Sequence, residues 1–395
     1  YLRTLEARGY IHQLTDADAI DARAARLGQK DGGLVAYVGF DLTGPSLHIG
    51  HLMSIMMLRR LQQHGGKPIA LMGGGTTKVG DPSGKDTQRQ LLDQATIDAN
   101  KASIRQVFER FLTFGDGPSD AIMADNADWL DHLNYIEFLR DYGRHFSVNR
   151  MLSMDSVRLR LERDQPLSFI EFNYMVLQSY DFVELNRRYG CVMQMGGSDQ
   201  WGNITQGIDL GRRVLGAELY GLTTPLITNA DGSKMGKTAG GAVWLNREQL
   251  PDWDYWQFWR NVDDRDVGKF LRLFTDLGCD EIRRLERLEG AEINDAKVAL
   301  ANAATALCRG AEAAAAAEAT ARATFAEGGA GEALPSFGVA GPVALVDALV
   351  LAGLAASKGE ARRKLAENAV KVDGVGVSDP AAMVAAPAKL SLGKK

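Results

Sequence analysis

Leu34-Val35-Ala36-Tyr37-Val38-Gly39-Phe40 is a short, continuously apolar run, and it reads as a strand buried on both faces. A loop with Pro45-Ser46-Leu47-His48-Ile49-Gly50-His51 follows. From Leu47 to Gln63 the chain is apolar nearly all round and stops at His64-Gly65-Gly66, which predicts a buried helix ended by glycine. Pro68-Ile69-Ala70-Leu71-Met72 is then a second strand, closed by Gly73-Gly74-Gly75. Strand, helix, strand in this order implies a right-handed crossover between parallel strands. The first half is therefore expected to be α/β, with a nucleotide-sized crevice at the C-terminal ends of the strands.

Working outward, residues 90–190 read as mainly helical, with an insertion-like character at 115–165. A further strand is expected near Cys191–Met195, ending at Gly196-Gly197, and then a helix from Trp201 to Val214. From Asp266 to Glu327 the pattern is helical, and the alanine-rich run 310–326 admits only a helix. Residues 327–342 read as a linker. A small module closes the chain: a helix, a second helix capped by Ser357-Lys358-Gly359-Glu360, and a hairpin over Val370–Val377 turning at Asp373-Gly374. The expected division is a Rossmann-like parallel-sheet catalytic domain (1–225), a loop and connector (226–265), an α-helical domain (266–326), the linker, and a small α+β module (343–395).

With 395 residues, 45% of them hydrophobic and 24% charged, the chain has the composition of a multi-domain globular protein. No run approaches the roughly 20 apolar residues of a membrane span. Three scattered cysteines suit a reducing, cytoplasmic setting, and six histidines without an HExxH pattern predict no metal site. The net charge of −5 is unevenly spread: from Ser336 onward eight basic residues face five acidic ones, leaving −8 for the rest. A basic tail on an acidic body suggests a local polyanion contact.

His48 and His51 are three residues apart, on one side of a helix N-terminus whose N–H groups and dipole suit a phosphate. Gly50, between them, would let a base or ribose lie against the helix. Two other segments resemble phosphate loops and fail the spacing. Asp231-Gly232-Ser233-Lys234-Met235-Gly236-Lys237-Thr238 lacks one residue between its glycines, and Gly80-Asp81-Pro82-Ser83-Gly84-Lys85 has no glycine five residues before Gly84. They remain glycine-bearing loops carrying Lys85, Arg89, Lys234 and Lys237, cations suited to a triphosphate.

Together these segments resemble a family. His48-Ile49-Gly50-His51 resembles the HIGH signature of class I aminoacyl-tRNA synthetases, and Lys234-Met235-Gly236-Lys237-Thr238 their KMSKS loop. Tyr37–Asp41, Gly80–Lys85 and Gln194–Asn203 resemble the blocks of bacterial-type tyrosyl-tRNA synthetases, and Ser357–Arg363 resembles a ribosomal-protein-type RNA-binding module. The resemblance implies activation of L-tyrosine by ATP, with Mg2+, and transfer to tRNA(Tyr) by a cytoplasmic homodimer with its interface near 125–160. Tyr37 and Asp181 would bind the phenol hydroxyl; Asp81, Tyr174 and Gln178 the ammonium group; Gln200 the carboxyl. His48, Thr43, Lys85, Arg89, Lys234, Lys237 and Thr238 would grip the phosphates. Gly50, His51, Asp199 and Gly197 would seat the adenosine, with Gly39 and Asp41 beside the adenylate. Lys358, Arg362 and Arg363 would touch tRNA.

The residues agree with this. Tyr174, Gln178 and Asp181 are four and three apart, so one helix face presents them. No nucleophile or general base is required, because the carboxylate of the amino acid attacks the α-phosphate itself. Leu42, Ser54, Lys78 and Met235 depart from the usual pattern. Three rivals stay open from sequence: a tryptophan-specific relative, another nucleotidylyltransferase, and an RNA-binding protein on an inactive synthetase body.

Overall fold

The computed structural model describes residues 1–26, 33–82, 92–232, 235–238, 241–325, 336–339 and 341–392, with the backbone alone at 237, 238, 324 and 325. Lys85, Arg89 and Lys234, and most of the expected linker, lie outside the described residues. The chain forms two compact units. The first comprises Tyr1–Gly236, Trp244–Gln249 and Val262–Ala296; the second comprises Lys237–Val243, Leu250–Asn261 and Lys297–Lys395.

The first unit is built on a six-stranded sheet. Its strands are β1 (Gln13–Leu14), β2 (Val35–Asp41), β3 (Lys67–Gly73), β4 (Ile122–Asp125), β5 (Met193–Gly197) and β6 (Tyr220–Thr224). The order is β1-β6-β5-β2-β3-β4, parallel throughout except for β1, which runs antiparallel along β6. From β2 the chain moves outward to β3 and β4, then returns to lay β5 on the other flank of β2. The order thus reverses between β2 and β5, and a parallel sheet opens a crevice at such a point, at its carboxyl edge. Asp41, Gly73 and Gly197 end the three strands there.

The expected strands at 34–40 and 68–72 and the helix between them form, the helix as Ile49–Gln63 with Ile49, Leu52, Met53, Ile55, Met56, Met57, Leu58 and Leu61 buried. Three strands of this sheet escaped the sequence reading. β4 falls in the stretch read as helical; Ile-Met-Ala-Asp is four residues on the sheet edge, too short for a period to show. β1 and β6 were unassigned, β6 because Tyr-Gly-Leu-Thr-Thr owes its burial to tertiary packing rather than to apolar composition. Helix Phe169–Tyr189 opens with a capping box, Ser168 accepting from the Glu171 N–H and Glu171 from the Ser168 N–H, and closes at Gly190 in the left-handed region (φ 65°). It packs Val176, Phe182 and Leu185 into the same core as Tyr37, Ile69, Leu71 and Trp129.

In the second unit, Trp256 donates to Asn302 (2.8 Å) and Asn302 to Glu318 (2.7 Å), tying helix Asp252–Arg260 to Ile293–Arg309 and Ala311–Phe325. Its last part follows the expected pattern. Helix Leu345–Leu351 packs on helix Lys358–Ala366, which Ser357 caps by accepting from the Glu360 N–H. Val370–Val372 then pairs with Val375–Gly376 across Asp373 (φ 50°) and Gly374 (φ 82°), the positive-φ pair that a tight hairpin turn needs.

Candidate active site

The edge formed by Asp41, Gly73 and Gly197 carries two hydrogen-bonded networks. In the first, the Tyr174 hydroxyl donates to both oxygens of Asp41 (3.3 Å each), and Thr76 Oγ1 donates to Asp41 Oδ1 (2.9 Å). Asn126 Nδ2 donates to Thr76 Oγ1 and to Asp181 Oδ2 (3.0 Å each), and Trp129 Nε1 donates to Asp181 Oδ1 (2.7 Å). Two carboxylates, from β2 and from helix Phe169–Tyr189, are thereby joined through one threonine and one asparagine. Asn126 is itself fixed, its oxygen accepting from the N–H groups of Gly75 (2.8 Å) and Thr76 (3.3 Å) just beyond β3.

In the second network, Gln200 Nε2 donates to Asp81 Oδ2 (3.1 Å), and Gln178 Nε2 to Gln200 Oε1 (3.3 Å). Asn203 Nδ2 completes it with bonds to Gln178 Oε1 (2.9 Å) and Gln200 Oε1 (3.1 Å). The helix spacing therefore works as read: Tyr174, Gln178 and Asp181 all reach this edge from one helix. Thr76, Asn126, Trp129 and Asn203 were not read from the sequence; their one available signal is position, since Asn126 directly follows β4 and Thr76 directly follows the glycines that end β3.

Burial tunes these groups. It pushes the Asp181 carboxyl up to about 7, against the bonds from Asn126 and Trp129 that lower it. Burial, then the Asp181 charge, pushes the Tyr37 phenol well above its ordinary value. Tyr174 is raised by burial and then by Asp41 and Asp81. Tyr37 lies on β2 with its ring edge-on to Phe182 at 5.3 Å, and its buried hydroxyl has no hydrogen-bond partner among the described residues.

At the start of helix Ile49–Gln63 the two histidines cap the backbone. His48 Nδ1 accepts from the Gly50 N–H (3.0 Å), the His48 N–H donates to His51 Nδ1 (3.2 Å), and the rings lie 4.1 Å apart. Part of the N–H array is thus already used within the protein. Gly50 has a second reason to be bare: a Cβ there would fall 2.6 Å from His48 Cε1. Gly236 (φ 92°) closes on the same turn, and a Cβ on it would fall 3.0 Å from the Gly50 nitrogen. Gly39, Thr43 and Asp199 are exposed, and a Cβ on Gly197 would strike Asp199 Oδ1 at 2.6 Å. Lys78 pairs with Asp131 (2.6 Å), and Met235 is buried. Lys237 and Thr238 belong to a short strand of the second unit. Lys358, Arg362 and Arg363 are exposed on the capped helix of the C-terminal module, Lys358 paired with Asp347 (2.7 Å). Among the described residues no three His, Cys, Asp or Glu side chains are grouped to hold a metal ion, and no helix is long and apolar enough to cross a membrane.

A parallel sheet with a histidine-capped helix after its first long strand, and polar side chains gathered at the reversal of strand order, is the frame of a class I synthetase. The sequence pattern of the family described as tRNA synthetases class I (W and Y) matches residues 29–326, and the chain belongs to that family. Residues 327–392 match the C-terminal domain described as tyrosine–tRNA ligase SYY-like, which narrows the likeness to the tyrosine branch. The tyrosine–tRNA ligase of Novosphingobium aromaticivorans is 65% identical over 379 residues, covering 96% of this chain and 91% of that protein. That of Methylocella silvestris is 60% identical, covering 100% and 96%. Among solved structures, a C-terminally truncated mitochondrial tyrosyl-tRNA synthetase from Coccidioides posadasii superposes with a TM-score of 0.69 at 31% identity, over 80% of this chain and 90% of that one.

Proposed function

We propose that the chain is a tyrosine–tRNA ligase that activates L-tyrosine with ATP, releasing pyrophosphate, and transfers the tyrosyl group to the 3′-terminal adenosine of tRNA(Tyr). The observation that carries the choice of amino acid is the Tyr37 hydroxyl, buried with no hydrogen-bond partner among the described residues and within electrostatic reach of Asp181. A substrate phenol would accept from Tyr37 and donate to Asp181, whereas a phenylalanine ring would leave both unmatched. Tyr174, Gln178 and Asp81 would receive the ammonium group, with Gln200 at the carboxyl.

The reaction asks for placement and for relief of negative charge, with no covalent intermediate on the protein. The substrate carboxylate attacks the α-phosphorus of ATP in line, the P–O bond to pyrophosphate breaks, and the 3′-terminal ribose hydroxyl of tRNA later displaces AMP from the acyl carbon. His48 and Thr43 would meet the phosphates. Gly50, His51, Gly197 and Asp199 would seat the adenosine, and Gly39 and Asp41 would stand beside the adenylate. Lys85, Arg89, Lys234, Lys237 and Thr238 keep the phosphate roles that the resemblance gives them, and Mg2+ would arrive with ATP as part of that substrate.

The domain roles are proposed in the same way: catalysis in residues 1–225, tRNA-stem recognition in 266–326 and RNA binding in 343–395, acting in the cytoplasm. A homodimer with its interface near 125–160 is supported by the exposed apolar side chains of that segment, Tyr135, Ile136, Leu139, Val148 and Leu152, of which Ile136 is 71% exposed. A monomeric mass in solution would contradict it. ATP–pyrophosphate exchange with tyrosine, phenylalanine and tryptophan in parallel tests the central reading. Exchange with tyrosine alone is expected; exchange driven by tryptophan, or none from folded protein, would overturn it.

A further inference from the structure

On either side of residues 233–234, the described arms 227–232 and 235–236 are each held within the first unit. The return arm lies against the histidine-capped turn, where Gly236 closes on Gly50, and the Met235 N–H donates to the Ile227 carbonyl (3.2 Å). The outgoing arm is held by one helix, Asp264–Phe274. Asp266, 3% exposed, accepts the Ala230 N–H at Oδ2 (2.7 Å). Lys269, one turn on, donates to Asp266 Oδ1 (2.6 Å) and to the Thr228 carbonyl (2.8 Å). Two alternate backbone groups of the loop are thus gripped by an acid and a base that also grip each other.

The ordinary explanation for Asp266 is a first-turn acid favoured by the helix dipole. An acid at this position, three residues after the capping Asp263, commonly turns back to the cap's own N–H. Asp266 does not: one oxygen goes to Ala230 and the other to Lys269. The far end of the helix is anchored too. Arg8 donates to the carbonyls of Arg272 (2.9 Å), Thr275 (3.0 Å) and Leu277 (2.6 Å). Asp276 accepts from Arg59 (3.0 Å) and Arg60 (2.6 Å), both on helix Ile49–Gln63. One helix therefore ties the base of the lysine loop to the C-terminal end of the histidine-signature helix.

We infer that Asp266 and Lys269 act as one clamp, positioning residues that set the loop base at Thr228 and Ala230 for tyrosine activation. The inference rests on the proposed reaction, in which Lys234 lies in sequence between the clamped arm and the returning Met235–Gly236. Neither clamp residue touches substrate; they act through the backbone they hold.

Asp266→Ala, Asp266→Asn, Lys269→Met and the double variant Asp266→Ala/Lys269→Met of the full chain are compared by pyrophosphate exchange, with active sites counted from the pyrophosphate burst and Tm recorded. Asp266→Ala and Lys269→Met are expected to lower kcat per active site about 10- to 100-fold, the scale of a misplacement near 1 Å, with the KM for tyrosine within about twofold of the unaltered chain. Asp266→Asn keeps an oxygen for the Ala230 N–H and is expected within about threefold. The double variant should fall no further than the worse single one, because both groups act on one loop. An unchanged kcat per active site, multiplicative losses, or a rise in the tyrosine KM that tracks a fall in Tm would overturn the clamp. Should Asp266→Ala not fold, Lys269→Met decides alone. An unaltered chain without tyrosine-dependent exchange would instead sink the reaction on which the clamp depends.

Discussion

Replacing Tyr37 with phenylalanine is expected to stabilise the free protein while weakening it as an enzyme. The ring sits in the core against Phe182, and only the hydroxyl oxygen would be removed. That hydroxyl is buried and has no hydrogen-bond partner among the described residues. A buried hydroxyl left unsatisfied costs about 1–3 kcal/mol, so folding should become more favourable by roughly that amount. For a unit of this size about 2–4 °C accompanies each kcal/mol, so Tm should rise by several degrees. With tyrosine bound the sign reverses, because the substrate phenol loses a partner worth about 0.5–1.5 kcal/mol. The kcat/KM for tyrosine in pyrophosphate exchange should therefore fall about three- to tenfold, with phenylalanine activation unchanged or improved. Scanning calorimetry without ligand and exchange with both amino acids measure the two halves. A lower Tm in the variant would mean that the hydroxyl has a partner inside the protein, and a tyrosine kcat/KM equal to the parent's that it does not meet the substrate; either would refute the reasoning.

Three further outcomes follow from named contacts. Asn126→Ala strips partners from Gly75, Thr76 and Asp181 at once and should cost about 2–4 kcal/mol in urea unfolding, with the tyrosine KM raised about tenfold; a KM equal to the parent's would detach Asn126 from the substrate site. Arg160 and Glu171 form an ion pair (3.0 Å) with both side chains almost wholly buried, so Arg160→Met should cost about 3–5 kcal/mol and the double change Arg160→Met/Glu171→Leu should recover most of it, whereas equal losses would show that the charge left behind is not the cause. The Asp181 carboxyl titrates near 7 when folded and near 3.8 when exposed, so between those values the folded chain keeps a proton that the unfolded chain has released. Its contribution to stability therefore declines as pH rises through that window. Asp181→Asn should gain on the parent between pH 5 and pH 8, and parallel stabilities at the two values would contradict a charge raised by burial. Beside these, Arg362→Ala/Arg363→Ala should weaken tRNA charging and spare pyrophosphate exchange; equal loss of both would remove those arginines from the RNA surface.

The parts legible in the sequence were those whose information is local. β2, β3 and β5 announce themselves as apolar runs, the last two closed by glycine, and Tyr174, Gln178 and Asp181 by their spacing on one helix. β4 and β6 do not, because four or five residues at or near a sheet edge take their conformation from neighbours distant in the chain. Missing β4 concealed Asn126: had Ile122–Asp125 been seen as a parallel strand, the residue at its carboxyl end would have been a candidate on topology alone. Trp129 and Thr76 were hidden for another reason: each holds another side chain, Asp181 and Asp41 respectively. The histidine pair shows the converse limit. Its place at a helix N-terminus was legible, but a ring nitrogen accepting the Gly50 N–H is a matter of rotamer, which spacing does not encode.

The groups hardest to justify in the free protein are the ones the substrate would satisfy. Asp181 is a carboxyl group kept buried at the cost of a strongly raised pKa, and Tyr37 presents a buried hydroxyl with no hydrogen-bond partner among the described residues. Neither can relax cheaply. Asn126 holds one oxygen of Asp181 and Trp129 the other, while the backbone beyond β3 holds Asn126. An ionised carboxylate offers about four lone-pair directions, so the two bonds that fix it leave room for a third donor. Because the frame is rigid, an amino acid lacking that donor cannot be accommodated by collapse. The strain stays in the complex, and selectivity for a phenol follows from what the pocket is unable to do without one.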